Sequence, residues 1–241
     1  MSDLSRLVAV VRDRFVRSDE RGFTLVELSI AAVISMVMIG VVFLTASATL
    51  GAQEQASEEG ATTAPTMLAA NAVEQLVNNA FVPNGATSIT SNCYDTSGAA
   101  LTGTYGPFLG TNLPTGTALY LCSIRPGSTA AYTYEITVPP TGCGGASCLV
   151  IDRLNCTPGC ATTRIDAFPG VSYAGPFGTS PFSYYYENGS TWTKLSSVTS
   201  SNVNSITAVA LDFSAPTSYG KAQPAEVSRT VLLPSTLGGY G

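Results

Sequence analysis

Between Leu28 and Leu50 the sequence has no charged residue. Ile30, Val33, Ile34, Met36, Val37, Met38, Ile39, Val41, Val42, Phe43 and Leu44 fall on every side of a helical projection. A helix lying on a membrane surface keeps one polar side, and this run has none. At about 1.5 Å per residue it is long enough to span a hydrocarbon layer about 30 Å thick. The pattern predicts a transmembrane helix, with a helix buried in a protein core as the alternative.

After the run, Ala52 to Glu59 continues as helix. Gly60 and Pro65 predict a break or kink there. A second helical stretch, 66–81, places Ala69, Val73, Leu76, Val77 and Ala80 on one stripe, the pattern of a helix packed on a sheet. Pro83 suits its ending.

From residue 84 the pattern changes to short alternating runs and turns. Strands are predicted over 132–138, 148–154, 182–187, 190–195, 206–213 and 227–233. Asn188-Gly189 between two aromatic runs signals a hairpin. In the run 206–213, Val209, Leu211 and Phe213 share one face, with Asp212 on the other. Residues 84–130 show no readable element. The fold class is α+β: a long N-terminal hydrophobic helix whose C-terminal half packs on an antiparallel sheet. The expected organisation is a leader (1–22), a transmembrane helix (23–59), an amphipathic continuation (60–83) and an exported sheet domain (84–241).

Charge gives the helix a direction. Residues 1–22 hold Arg6, Arg12, Arg14, Arg17 and Arg21 against Asp3, Asp13, Asp19 and Glu20, a net of +1 in a protein of net charge −5. By the positive-inside tendency the leader stays in the cytoplasm and the later residues are exported. A secretory signal has a shorter apolar core ending in small residues, which this run does not. Charged residues are 11% of the total and histidine is absent. The first fact argues against a charged, disordered polymer. The second removes Ser-His-Asp and Cys-His catalysis and the commonest zinc ligand. The acidic balance argues against nucleic-acid binding. No Walker A, G-x-G-x-x-G, G-x-S-x-G or EF-hand pattern occurs. The reading is therefore not an enzyme, with no catalytic residue, cofactor, metal or small-molecule substrate. Tyr184, Tyr185, Tyr186 and Trp192 are read as sheet core and edge in preference to a stacking surface.

Glu27 is out of place at the start of an apolar helix, because a carboxylate inside a bilayer needs a cationic partner or a functional reason. The alternative is a helix-start glutamate favoured by the helix dipole. The surrounding residues Arg21-Gly22-Phe23-Thr24-Leu25-Val26-Glu27-Leu28 resemble the processing site of type IV prepilins and type II secretion pseudopilins. The resemblance implies cleavage between Gly22 and Phe23 by a membrane prepilin peptidase and N-methylation of Phe23. It also implies pairing of the new amine with Glu27 of a neighbouring subunit. The implied partners are other pilins or pseudopilins and an inner-membrane assembly platform. The implied location is a single-pass membrane protein that joins an extracellular or periplasmic filament. The strand order after residue 130 looks like that of PilW-type minor pilins and J-type minor pseudopilins. The C-terminal cysteine pair of many major pilins is missing, since no cysteine follows Cys160. The competing class is a membrane-anchored sugar- or DNA-binding module, or an enzyme, on a similar anchor.

The six cysteines, Cys93, Cys122, Cys143, Cys148, Cys156 and Cys160, all follow the anchor. In an exported domain an even number reads as disulfides. Glycine-rich spacers suit local bridges Cys143–Cys148 and Cys156–Cys160, which leaves Cys93 with Cys122. A four-thiolate zinc site from the last four is the alternative.

Overall fold

In the computed structural model the described residues are 24–81, 90–101, 107–108, 112–139, 143–144, 146–156, 160–173, 180–217 and 224–234. They contain one long helix, α1 (Leu25–Asn78). Two compact units divide at Gln53 and Glu54, so α1 contributes to both.

The helix passes through Gly60 and Pro65 without interruption, so the break expected there does not occur. Packing accounts for this. The buried stripe begins at Glu58 and continues through Thr62, Thr66, Ala69, Ala70, Val73, Leu76 and Val77. It brackets Pro65, and tertiary burial outweighs the one hydrogen bond that a proline removes. The sequence pattern showed the stripe only from Ala69, because its first members are polar. The Thr62 and Thr66 hydroxyls donate to the carbonyls of Glu58 and Thr62, at 3.1 and 2.8 Å, so they enter the interface already satisfied. The end is at Asn78, earlier than the predicted Phe81. Ser123 Oγ donates to the carbonyls of Leu76 and Asn79 there, and Phe81 N–H turns away to the carbonyl of Cys122.

Among the described residues nine strands form two sheets, where a single antiparallel sheet was expected. The first contains β1 (Thr90–Asn92), β2 (Ala118–Ser123), β3 (Ala130–Thr137), β4 (Cys148–Asn155) and β5 (Ala161–Pro169), ordered β1-β3-β4-β5 with β2 also on β3. The β1–β3 pair is parallel. The second sheet is antiparallel and ordered β7-β6-β8-β9, from β6 (Phe182–Asn188), β7 (Thr191–Lys194), β8 (Ala208–Ala215) and β9 (Ala225–Leu232). The β6–β7 hairpin turns one residue later than expected. Asn188 still pairs with Thr191, and Gly189 takes a φ of 66°, as the first residue of a two-residue II′-type loop does. Strands β1, β2 and β5 were not read from the sequence. β5 is a mostly exposed edge, so it has no apolar alternation to read.

One core joins the helix stripe to both sheets. Val73, Leu76 and Val77 cluster with Leu119, Leu121, Ile136, Leu149 and Ile151 of the first sheet and with Phe182, Val209, Leu211 and Phe213 of the second. Phe182 and Phe213 meet edge to face, with ring centroids 6.0 Å apart. Arg229 on β9 reaches Glu74 at 2.6 Å and Asn71 at 2.7 Å. Tyr184 is buried and its hydroxyl donates to the Thr115 carbonyl at 2.7 Å. Trp192 is 49% exposed on β7, so the aromatic cluster divides between core and surface.

The cysteines pair as Cys93–Cys122, Cys143–Cys148 and Cys156–Cys160. The first spans 29 residues and ties the turn after β1 to β2; the other two close short loops at the two ends of β4. On the entropic account of disulfides, the long loop restricts the unfolded state most.

On the first sheet, Tyr120 donates to Glu135 at 2.9 Å. Burial, and then the neighbouring carboxylate, push the phenol up from 10.0 to about 12. The folded state holds this proton more tightly than the unfolded state does. Its contribution to stability is therefore complete below pH 10 and is lost as pH rises from 10 to about 12. Denaturation midpoints across that window should fall more steeply for the natural protein than for Tyr120→Phe. Parallel slopes would contradict the assignment.

Candidate functional site

Gly22 and Phe23 lie outside the described residues. Thr24 and Glu27 open the helix. The Thr24 backbone N–H and hydroxyl both donate to Glu27 Oε2, each at 3.1 Å, and the Glu27 N–H donates back to Thr24 Oγ1 at 3.3 Å. This is a reciprocal capping box, Thr at the N-cap and Glu three residues on. It satisfies two of the N–H groups that every helix start leaves without an internal partner. The Glu27 charge also lies where the positive end of the helix dipole stabilises it. The role weighed as an alternative for Glu27, a helix-start glutamate, is thus present within the protein itself. Thr24 was not singled out from the sequence, although T-x-x-E before an apolar run is the signature of this box.

The box leaves half of the carboxylate open. Both contacts fall on Oε2, and no described residue donates to Oε1. Glu27 is exposed, as is every residue from 25 to 50.

The apolar stretch that follows is suited to a solvent without hydrogen bonds. Its most apolar 18-residue window has a mean hydropathy of 2.5 and no buried residue. Ser29, Ser35, Thr45, Ser47 and Thr49 donate to carbonyls three or four residues back, at 2.8–2.9 Å. Their hydroxyls are therefore paired within the helix, which a membrane interior requires.

Residues 17–43 match a family model described as the prokaryotic N-terminal methylation motif. The N-terminal part of the protein bears that motif. It takes in the Gly22–Phe23 junction, the capping box and most of the apolar run. No curated protein and no solved structure matches the sequence. The motif supports prepilin-like processing, and with the apolar helix it fits a membrane-anchored protein of pilin type.

Elsewhere the chemistry is sparse. Among the described residues no group of three His, Cys, Asp or Glu side chains is placed to hold a metal ion. The cysteines of the alternative zinc site are joined in disulfides, which offer no thiolate.

Thr24→Val keeps the shape of the N-cap residue and removes both side-chain bonds of the box. It should loosen the first helical turn by about 1 kcal/mol. Amide exchange of the protein in detergent should quicken over residues 24–28 and remain unchanged at Val73 and Val77. Unchanged exchange at the helix start would show that the box does not hold in solution.

Proposed function

We propose that this protein is a structural subunit of a type IV pilus or a type II secretion pseudopilus, of the minor kind. A prepilin peptidase cuts between Gly22 and Phe23 and methylates the Phe23 amine. The mature protein keeps α1, which anchors it in the inner membrane. An assembly platform then moves it into a filament beside other pilins or pseudopilins. The protein has no catalytic role in this reading.

The observation that carries the reading is Glu27 in its setting. A plain anchor needs no carboxylate in its first turn. Here a carboxylate stands at the head of a charge-free helix, with Oε2 bound to Thr24 and Oε1 open. A methylated amine on an adjoining subunit would complete it. The pair would be a register mark: correct axial placement neutralises both charges in an apolar filament core, and a slipped neighbour leaves both unpaired. Support for the minor kind is the strand order of the exported domain, with Tyr132 and Tyr134 on β3, Asp152-Arg153-Leu154 on β4, the β6–β7 hairpin, and Val209, Leu211 and Phe213 on β8. The lack of any cysteine after Cys160 argues in the same direction.

N-terminal sequencing of membrane-extracted protein should begin at N-methylated Phe23. A start at Met1 in cells with an active prepilin peptidase would overturn the processing step.

Glu27→Ala separates anchoring from assembly. Insertion should be unchanged or improved, since a carboxylate leaves an apolar helix. The exported domain should fold as before. Co-purification with other pilins should fall, because losing one partner of a buried pair costs about 3–5 kcal/mol. Full co-assembly of the variant would remove Glu27 as a register contact.

A further inference from the structure

Three of the four described arginines have a carboxylate partner. Arg125 meets Asp166 at 2.9 Å, Arg164 meets Asp152 at 3.1 Å and Arg229 meets Glu74 at 2.6 Å. Arg153 is the fourth. Among the described residues it has neither a hydrogen bond nor an ion pair, and its Nε is sealed from solvent without an acceptor. Buried donors are rarely left unused, so a solitary guanidinium on a folded sheet calls for a reason.

Its surroundings hold it ready. Arg153 lies on β4, paired with Tyr134 of β3 and Thr163 of β5. Its guanidinium stacks over the Tyr132 ring, 4.8 Å from the centroid, which fixes the plane of the group and strips part of its hydration. With Nε covered, the two Nη nitrogens form the remaining fork. Asn155, two residues on along β4, shares the sheet face of Arg153. Its Nδ2 donates to Thr163 Oγ1 at 2.9 Å, so the Thr163 hydroxyl proton points to other acceptors. Arg153 and the Thr163 hydroxyl thus offer donors side by side. Such a set fits an acceptor-only group, and a planar carboxylate matches the fork with two parallel bonds.

The shape of the surface decides what presents the carboxylate. Ligand pockets for small molecules have volumes of about 300–1,000 Å³. The cavity beside Tyr134, lined by Gln75 and Leu76 of the helix and by Arg125, Ile151 and Asp166, is about 30 Å³ and does not take in Arg153. It cannot enclose a sugar or an organic acid. Beside Arg153 the strand β5 is exposed from Ala161 to Arg164, so a carboxylate reaches the guanidinium from outside the fold.

We propose that Arg153, stacked on Tyr132 and assisted by Thr163, is a docking point for a carboxylate of an adjoining protein subunit, from an Asp or Glu residue or from the subunit's C-terminus. The subunit is a neighbour in the assembly, so this inference rests on the proposed function. It adds a second, exported contact to the one at Glu27.

The test is an NMR titration of the mature protein in detergent, followed at the Arg153 Nε–H signal. The probe is the capped peptide acetyl-Gly-Asp-Glu-Gly-amide, with its Asn/Gln counterpart as control. The acidic peptide should shift the signal to saturation and the amide control should not. Arg153→Lys keeps the charge and loses the fork, and should weaken binding about tenfold. Thr163→Val, at an exposed strand position, should weaken it by a smaller factor and leave the fold intact. No shift with the acidic peptide, or an equal shift with the control, overturns the proposal. Tighter binding of inorganic phosphate or of N-acetylneuraminate than of the peptide also overturns it, in favour of a free anion or an acidic sugar. Binding is read on the isolated protein, so its failure leaves processing and Glu27-dependent assembly standing. A failure of those leaves the peptide titration as a separate result.

Discussion

A helix that no protein atom covers needs a solvent other than water. From residue 25 to residue 50, α1 is exposed throughout, and after Glu27 it has no charge. Left in water, eleven large aliphatic, Met and Phe side chains between Ile30 and Leu44 would oppose folding and promote aggregation. In hydrocarbon the same residues are favourable, on one condition. Every polar group must be satisfied inside the helix. The five hydroxyls bonded to carbonyls of their own helix meet that condition, and the capping box meets it in part at the first turn, where Glu27 Oε1 stays open. Membrane solvation is thus the constraint on the first half of α1. In the proposed filament, the helices of neighbouring subunits would supply a second apolar environment.

The second half of the same helix answers to a different constraint. From Glu58 onward one stripe is buried, from Ala69 it joins the core of the two sheets, and the opposite side is exposed. Thr62 and Thr66 mark the change. Their hydroxyls are turned back onto the helix, so residues that are polar by composition serve as packing surface. Ser123 at the end of β2 completes the arrangement by taking the carbonyls that the last turn leaves open. A single helix therefore joins the apolar first half to the sheet-packed second half through continuous backbone hydrogen bonds.

Much of this was legible in the residue pattern, and the exceptions have physical reasons. The apolar run, the Ala69–Val77 stripe and the strands β3, β4, β6, β7, β8 and β9 follow from hydrophobic periodicity. Strands β1, β2 and β5 do not. β1 is three residues long, β2 sits between Gly-, Pro- and Thr-rich stretches, and β5 is an exposed edge whose residues answer to water on most sides. The division into two sheets is a matter of long-range pairing, on which local alternation is silent. Pro65 signals a break by propensity alone, and the packing on both sides of it keeps the helix continuous. At the helix start, Glu27 was legible as an anomaly, whereas its bonds to Thr24 required geometry. Arg153 is one of six basic residues that follow the apolar run in the sequence; only the structure shows that three other arginines are paired and this one is not.

The claim on which the rest depends is that α1 is solvated by hydrocarbon on all sides over its first half. All six cysteines are in disulfides, so one introduced cysteine is the single free thiol for a spin label. Labels at positions 33, 34, 36, 39 and 42, in mature protein reconstituted into bilayers, sample the whole circumference of the helix. Oxygen accessibility measured by electron paramagnetic resonance should be high, and water-soluble relaxant accessibility low, at all five positions. A helical period in water accessibility, with one side wet and the other dry, would contradict the account and place the helix on the membrane surface.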